Sequence, residues 1–173
     1  MNRRTPPTRE EALKILREAR ARLTKLLNGL DDAKLESPAA LGGGSWSIKD
    51  LVGHLASWEE RAIRWFEAGS RPEAHTYPET DEFNAREVAR KAEWPLQRVK
   101  EEASETHNRL LEAIEKSSDD AWAAQVPVPG RGDHPFGFIV GMTLAGDEHG
   151  LFAHDLAHLA DVEAYVSSLV KDQ

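Results

Sequence analysis

The sequence contains no cysteine. Disulfides, thiolate metal sites, cysteine nucleophiles and iron–sulfur clusters are therefore excluded together, and any metal must be held by His, Asp or Glu. Long apolar runs are also missing. The most hydrophobic stretch, Phe136 to Leu144, is short and broken by Gly137 and Gly141, whereas a bilayer span needs about 18 or more apolar residues. No membrane partner is expected. The segment Met1 to Pro7 carries Arg3 and Arg4 but runs into charged chain without the apolar centre of a signal peptide, which predicts a cytoplasmic location. A basic excess is absent as well: 22 Lys+Arg stand against 30 Asp+Glu, for a net charge of −8. Generic nucleic-acid affinity comes from Lys and Arg displacing counterions from phosphates, so no nucleic-acid partner is expected.

What remains is a chain of 173 residues, 40% hydrophobic and 30% charged. That balance and length predict one globular domain spanning residues 1–173. Thr8-Arg9-Glu10-Glu11 has the capping-box form, in which Thr and Glu reciprocally satisfy amides at a helix start. Leu13, Leu16, Leu23, Leu26, Leu27 and Leu30 then recur at helical spacing, with Gly29 as the stop. Asp31 to Trp46, with Pro38 and the run Gly42-Gly43-Gly44, reads as a loop. Ser47 is the next N-cap, with Asp50 in the first turn, and predicts a second helix running to about Ala68.

Gly69, Pro72 and Pro78 end that helix, and Asp81 to Lys91 is expected to form a helical turn or two. Pro95 suits a first helical position, and Leu96, Val99, Ala103, Leu110, Leu111 and Ile114 mark a third helix to about Lys116. Ser118-Asp119-Asp120 caps a short helix carrying Trp122. Val126 to Pro135, rich in Pro and Gly, is expected to be irregular, and one last helix, open to a kink or fraying near its Gly residues, is expected over about Phe138 to Val170. Four long amphipathic helices without an alternating strand pattern predict an all-α, antiparallel four-helix bundle.

His154-Asp155-Leu156-Ala157-His158 places two imidazoles four residues apart, on one face of a helix, where they could grip one ion or be a solvated pair. Asp155 makes the string a near miss to the zinc-protease pattern His-Glu-x-x-His. Asp is one methylene shorter than the general-base Glu, so peptidase activity is set aside. His54, in Leu51-Val52-Gly53-His54-Leu55-Ala56, is expected to face inward, either as a core imidazole or as a ligand in a bundle. His149, five residues before His154, points elsewhere, and His75, His107 and His134 are read as loop or solvated-helix residues. Arg61 and Arg64 could pair with Glu residues or meet an anionic substrate, with exposed pairing as the default.

The string Trp46-Ser47-Ile48-Lys49-Asp50-Leu51-Val52-Gly53-His54-Leu55-Ala56-Ser57-Trp58-Glu59, followed by Trp65 and Gly69, resembles the signature opening helix two in the DinB/YfiT-like superfamily. Within it, the match is nearest the ClbS/DfsB subgroup. His154-x-x-x-His158-Leu159-Ala160-Asp161-Val162-Glu163 resembles the superfamily's other motif, with Asp161 where many relatives carry Gln. The resemblance implies a four-helix bundle, often a homodimer, with a divalent metal held by His54, His154 and His158. It also implies a small-molecule substrate, since the superfamily includes thiol-dependent transferases and isomerases, and the ClbS branch includes a hydrolase acting on a reactive cyclopropane-bearing toxin.

Three neutral imidazoles suit zinc, nickel, iron or copper and leave positions open for water or substrate. Of these, zinc, nickel or iron is expected, with a low-molecular-weight thiol as a possible cosubstrate. On ideal helix geometry Asp147, Leu151 and Tyr165 share the face of His154 and His158. Asp50, Asp147 and Asp161 are candidate partners for the ligand rings, although simple helix capping accounts for Asp50. Trp58, Trp65 and Tyr165 could line a pocket or belong to the core. The expected function is a metal-dependent hydrolase or thiol-dependent transferase acting on a small, electrophilic molecule. The alternatives are a bundle that sequesters such a molecule without turnover, and one whose metal site is silent.

Overall fold

The computed structural model describes residues 6–41, 44–68, 80–128 and 130–171. Helix α1, Arg9–Leu27, starts at the expected capping box: Thr8 accepts from the Glu11 amide and Glu11 accepts from the Thr8 amide. The segment read as a loop after it contains a short helix, α2, Asp32–Leu35, with Asp31 accepting from the Lys34 amide as cap. Helix α3, Ile48–Ala68, is capped by Ser47, whose hydroxyl accepts from the Asp50 amide while Asp50 accepts from the Ser47 amide. Asp50 is thus a capping residue.

Helix α4, Thr80–Lys91, is longer than the turn or two expected, because Phe83 and Lys91 are buried against α3 and anchor both of its ends. Helices α5, Leu96–Lys116, and α6, Asp119–Ala123, match expectation, with Ser118 capping α6. Two corrections follow. Gln125–Val128 and Gly132–Pro135 form a small antiparallel hairpin, β1 and β2, rather than irregular chain. Val126 and Val128 alternate inward, and Gly130 and Gly132 hold the positive φ of 75° and 81° at the turn, a conformation that glycine adopts without steric cost.

The last helix, expected as one element with at most a kink or fraying near its glycines, is divided into α7, Phe136–Thr143, a 3₁₀ turn at Asp147–His149, α8, His154–Ala157, and α9, Leu159–Lys171. Close backbone approach explains the break. A Cβ on Gly146 would lie 2.1 Å from the carbonyl oxygen of Ala153, and one on Gly141 would lie 2.6 Å from the Phe152 ring. The chain therefore folds back on α7, with Phe152 bonding to the Gly141 carbonyl and His154 to the Leu144 carbonyl through their amides. Phe152 adopts φ 62° while almost fully buried and stacked on Trp122. Such a conformation costs a non-glycine residue about 1–3 kcal/mol and persists only where packing over-determines it.

The four bundle helices are α1, α3, α5 and α9. Successive contacts fix their directions. Gly53 meets Val99, Glu59 meets His107 and Glu60 meets Arg109, so α3 and α5 run the same way. Arg9 meets Asp119 and Arg17 meets Glu115, so α1 runs against α5. A long crossover between α3 and α5, containing α4, accommodates this order. Two apolar clusters fill the bundle, one around Leu16, Ile63, Trp65, Ile114 and Phe152, the other around Leu23, Ile48, Leu55, Leu96 and Val162. No described helix is long and apolar enough to cross a membrane.

Candidate metal centre

His54 lies in the second turn of α3, 4% exposed, because the apolar stripe of the helix turns that face inward. His154 opens α8 and His158 occupies the junction between α8 and α9. The pair was expected on one helix. The kink at His158 keeps the two residues adjacent all the same, since α8 supplies a single turn between them.

The three rings converge through Nε2. His54 Nε2 is 3.1 Å from His154 Nε2, and His158 Nε2 is 3.4 Å from His154 Nε2. One ring nitrogen from each falls within 4.8 Å of the others. Imidazole nitrogens bound at about 2.0–2.1 Å to one tetrahedral ion stand about 3.3–3.4 Å apart, so the two spacings to His154 are close to what such an ion requires. Charge state agrees with geometry. Burial, with the neighbouring His154, His158 and Lys91, pushes the His54 imidazole down to about 2. Burial and His158 push His154 down to about 4, against the opposing pull of Asp155. Neutral imidazole is the form that ligates a metal. The three histidines are thus positioned to bind an ion.

Several residues that frame this centre had no clear signal in the sequence. Lys91 is 4% exposed and donates from Nζ to the Gly53 carbonyl at 2.7 Å, while also contacting Glu102. Its ammonium stands one residue from His54 and disfavours a charged ring there. Arg20 donates from Nε to Asp155 Oδ2 at 2.6 Å and reaches Glu59 Oε1 at 3.1 Å. Burial opposes the Arg20 charge, but Asp155 and Glu59 outweigh it and hold the guanidinium above its ordinary range. His107, read from sequence as solvated, is buried and bonded through Nδ1 to Glu59 Oε1 at 2.6 Å. Its position on the inner stripe of α5, four residues after Ala103, was the available clue.

Aromatic rings cover one side of the centre. The Trp46 and His54 centroids are 4.7 Å apart, and Trp58 stands edge-on to His154 at 6.0 Å with its indole N–H donating to Asn84 at 3.0 Å. Trp58 therefore belongs to the site. Trp65 belongs to the core, donating to the Thr143 hydroxyl, and Tyr165 donates to the Lys34 carbonyl rather than facing the histidines. Asp161 is exposed, Leu151 packs against the first core cluster, and His149 is exposed as expected. His134 is half-buried and bonds to the Arg131 carbonyl. Arg64 is exposed, while Arg61 is half-buried with its guanidinium carbon 5.8 Å from the Phe83 ring. The Asp147 side chain, Gly69 and His75 lie outside the described residues.

The sequence pattern of the DinB superfamily matches residues 15–149, well over half of the chain. The chain belongs to the DinB superfamily. That match includes His54 and stops short of His154 and His158, so the case for the C-terminal pair rests on the geometry above. No curated protein matches the chain by sequence. Among solved structures, a mycothiol-dependent maleylpyruvate isomerase superposes with TM-score 0.66 at 19% identity, over 90% of this chain and 61% of the isomerase. This chain therefore spans about three-fifths of that enzyme's length. YfiT from Bacillus subtilis, described as a probable metal-dependent hydrolase with an unusual four-helix bundle topology, superposes with TM-score 0.69 at 16% identity, over 98% of this chain and 93% of YfiT. The colibactin self-resistance protein ClbS, solved with a dsDNA, gives TM-score 0.65 at 16% identity, over 96% of both chains. At these identities the likeness is one of fold, and the ClbS branch is among the structures that share it.

Proposed function

We propose that this DinB-superfamily protein is a metal-dependent enzyme that activates a small nucleophile, water or a low-molecular-weight thiol, toward an electrophilic small molecule. The observation that carries the reading is the convergence of three Nε2 atoms from two distant parts of the chain, His54 on one side and His154 and His158 on the other. Two of those rings are held neutral by burial. A bound zinc, nickel or iron ion would keep its full positive charge there and supply Lewis acidity and a lowered nucleophile pKa. Three protein ligands, rather than four, are the number found in catalytic rather than structural zinc sites.

The chain's own groups do the positioning. Arg20 takes up the Asp155 carboxylate, which fixes the backbone beside His154. Trp46 and Trp58 flank His54 and offer flat apolar surface on which an unsaturated or alkyl part of a substrate can rest. The relatives support both halves of the reading, one being named for metal-dependent hydrolysis and another for dependence on a thiol. The test is turnover by protein loaded separately with zinc, nickel and iron, using p-nitrophenyl acetate for hydrolysis and monobromobimane with a small thiol for transfer. Metal-dependent turnover lost in His154→Ala with His158→Ala is the expected result. Metal bound at one ion per chain with neither reaction accelerated contradicts the enzymatic reading and leaves sequestration as the better account.

A further inference from the structure

A cavity of about 510 Å³ opens between α1, α3 and α5, and none of the three histidines lines it. Its volume falls in the range of roughly 300–1,000 Å³ occupied by small-molecule sites. Leu23, Leu27, Val52, Leu55 and Ala103 contribute apolar wall, and Arg20 and His107 also line it.

Two facts set the chemistry of the ligand. The first is charge: the cations lining the cavity are Arg20, Lys49 and Lys100, and each is paired. Arg20 is held by Asp155 and Glu59, Lys49 by Glu36 and the Ala92 carbonyl, and Lys100 by Asp32. An anionic ligand would compete with these carboxylates. The second is the orientation of His107. Its Nδ1 faces Glu59 Oε1 at 2.6 Å, and Glu59, engaged with the Arg20 guanidinium, accepts rather than donates. In the neutral ring the proton is then assigned to Nδ1, and Nε2 becomes a hydrogen-bond acceptor. A largely apolar wall with a few neutral polar groups, compensated charges and an acceptor nitrogen on the buried His107 favour a neutral molecule with a donor.

We propose that this cavity is a second small-molecule site, taking a neutral, largely apolar molecule bearing a hydroxyl whose O–H donates to Nε2 of His107. The Glu59 carboxylate acts on the ligand only through the imidazole, so Glu59 is a positioning residue.

The test is calorimetric titration of the full chain at pH 8 with 1-octanol and with octyl methyl ether, which keeps the alkyl chain and lacks the O–H. Octanol is expected to bind one per chain and at least tenfold more tightly than the ether. His107→Phe should erase that preference, Val52→Trp should fill the cavity and abolish both, and joint replacement of His54, His154 and His158 by Ala should leave both intact. Circular dichroism establishes that each variant folds. If His107→Phe does not fold, the alcohol–ether comparison and Val52→Trp decide. Absence of octanol binding, equal binding of the two compounds, or binding that survives Val52→Trp overturns the proposal.

Discussion

Arg20 and Asp155 meet between α1 and α8 through a 2.6 Å bond from Nε to Oδ2, one residue away from His154 of the candidate metal centre. Both side chains are mostly buried, at 17% and 10% exposure. Removing one partner of a buried ion pair leaves the other charge uncompensated and costs about 3–5 kcal/mol. Arg20→Met should therefore lower the unfolding free energy in urea by about that amount. It should also weaken zinc binding by about tenfold, as loss of outer supports does at metal sites. A variant of normal stability and affinity would show that the pair does not hold His154.

The depressed His54 and His154 titrations make a contribution of definite sign to the pH dependence of the metal-free protein. In the unfolded chain both rings take up protons below about 6.5, whereas the folded chain resists until about 4 for His154 and about 2 for His54. The unfolded state then binds more protons, so stability falls as pH drops through that window and is flat with respect to these groups above it. From pH 6 to pH 4.5 the two rings together should remove about 3–4 kcal/mol. Urea midpoints across this range check it, with His54→Asn plus His154→Asn as the comparison. An unchanged slope in that variant would assign the effect to other groups.

Metal addition should act in the opposite direction. An ion bound only by the folded chain at a hundredfold excess over its Kd stabilises by about 2.7 kcal/mol. Zinc should raise the Tm of the wild-type protein and leave that of His54→Ala where it was, because the loss of one of three ligands dismantles the set. Equal shifts in both proteins would point to surface binding.

Gly146→Ala tests the route by which His154 reaches the site. The new Cβ would sit 2.1 Å from a backbone oxygen, which cannot swing aside as a side chain can. The loop between α7 and α8 must move, with a destabilisation of about 3 kcal/mol or more. Metal binding should fall with it, since the His154 amide is bonded to the Leu144 carbonyl inside that loop. Retained zinc affinity would show that the His154 position does not depend on the close approach.

The parts of the fold readable from sequence were those governed by local rules. The Thr8, Ser47 and Ser118 caps and the inward placement of His54 follow from short-range spacing, and the structure carries each of them. The glycines of the last helix marked where it could kink, but the full fold-back was not legible in this way, because it depends on a contact between Gly146 and Ala153 that no periodicity encodes. The hairpin was hidden for a related reason: Pro127 interrupts the strand pattern, and only the register across Val126 and His134 reveals it. In the centre itself, residue type and spacing left the His154 and His158 pair open between a ligand pair and a solvated one, and the resemblance to the DinB/YfiT-like superfamily implied the ligand set. Arg20, Glu59 and His107 come from three different helices, so their network exists only once the bundle has packed.

Elemental mass spectrometry of the purified protein, beside His154→Ala with His158→Ala, reads whether His54, His154 and His158 hold one divalent ion. About one zinc, nickel or iron per chain in the wild type and none in the variant is the expected result. Both proteins metal-free after incubation with all three ions would contradict it.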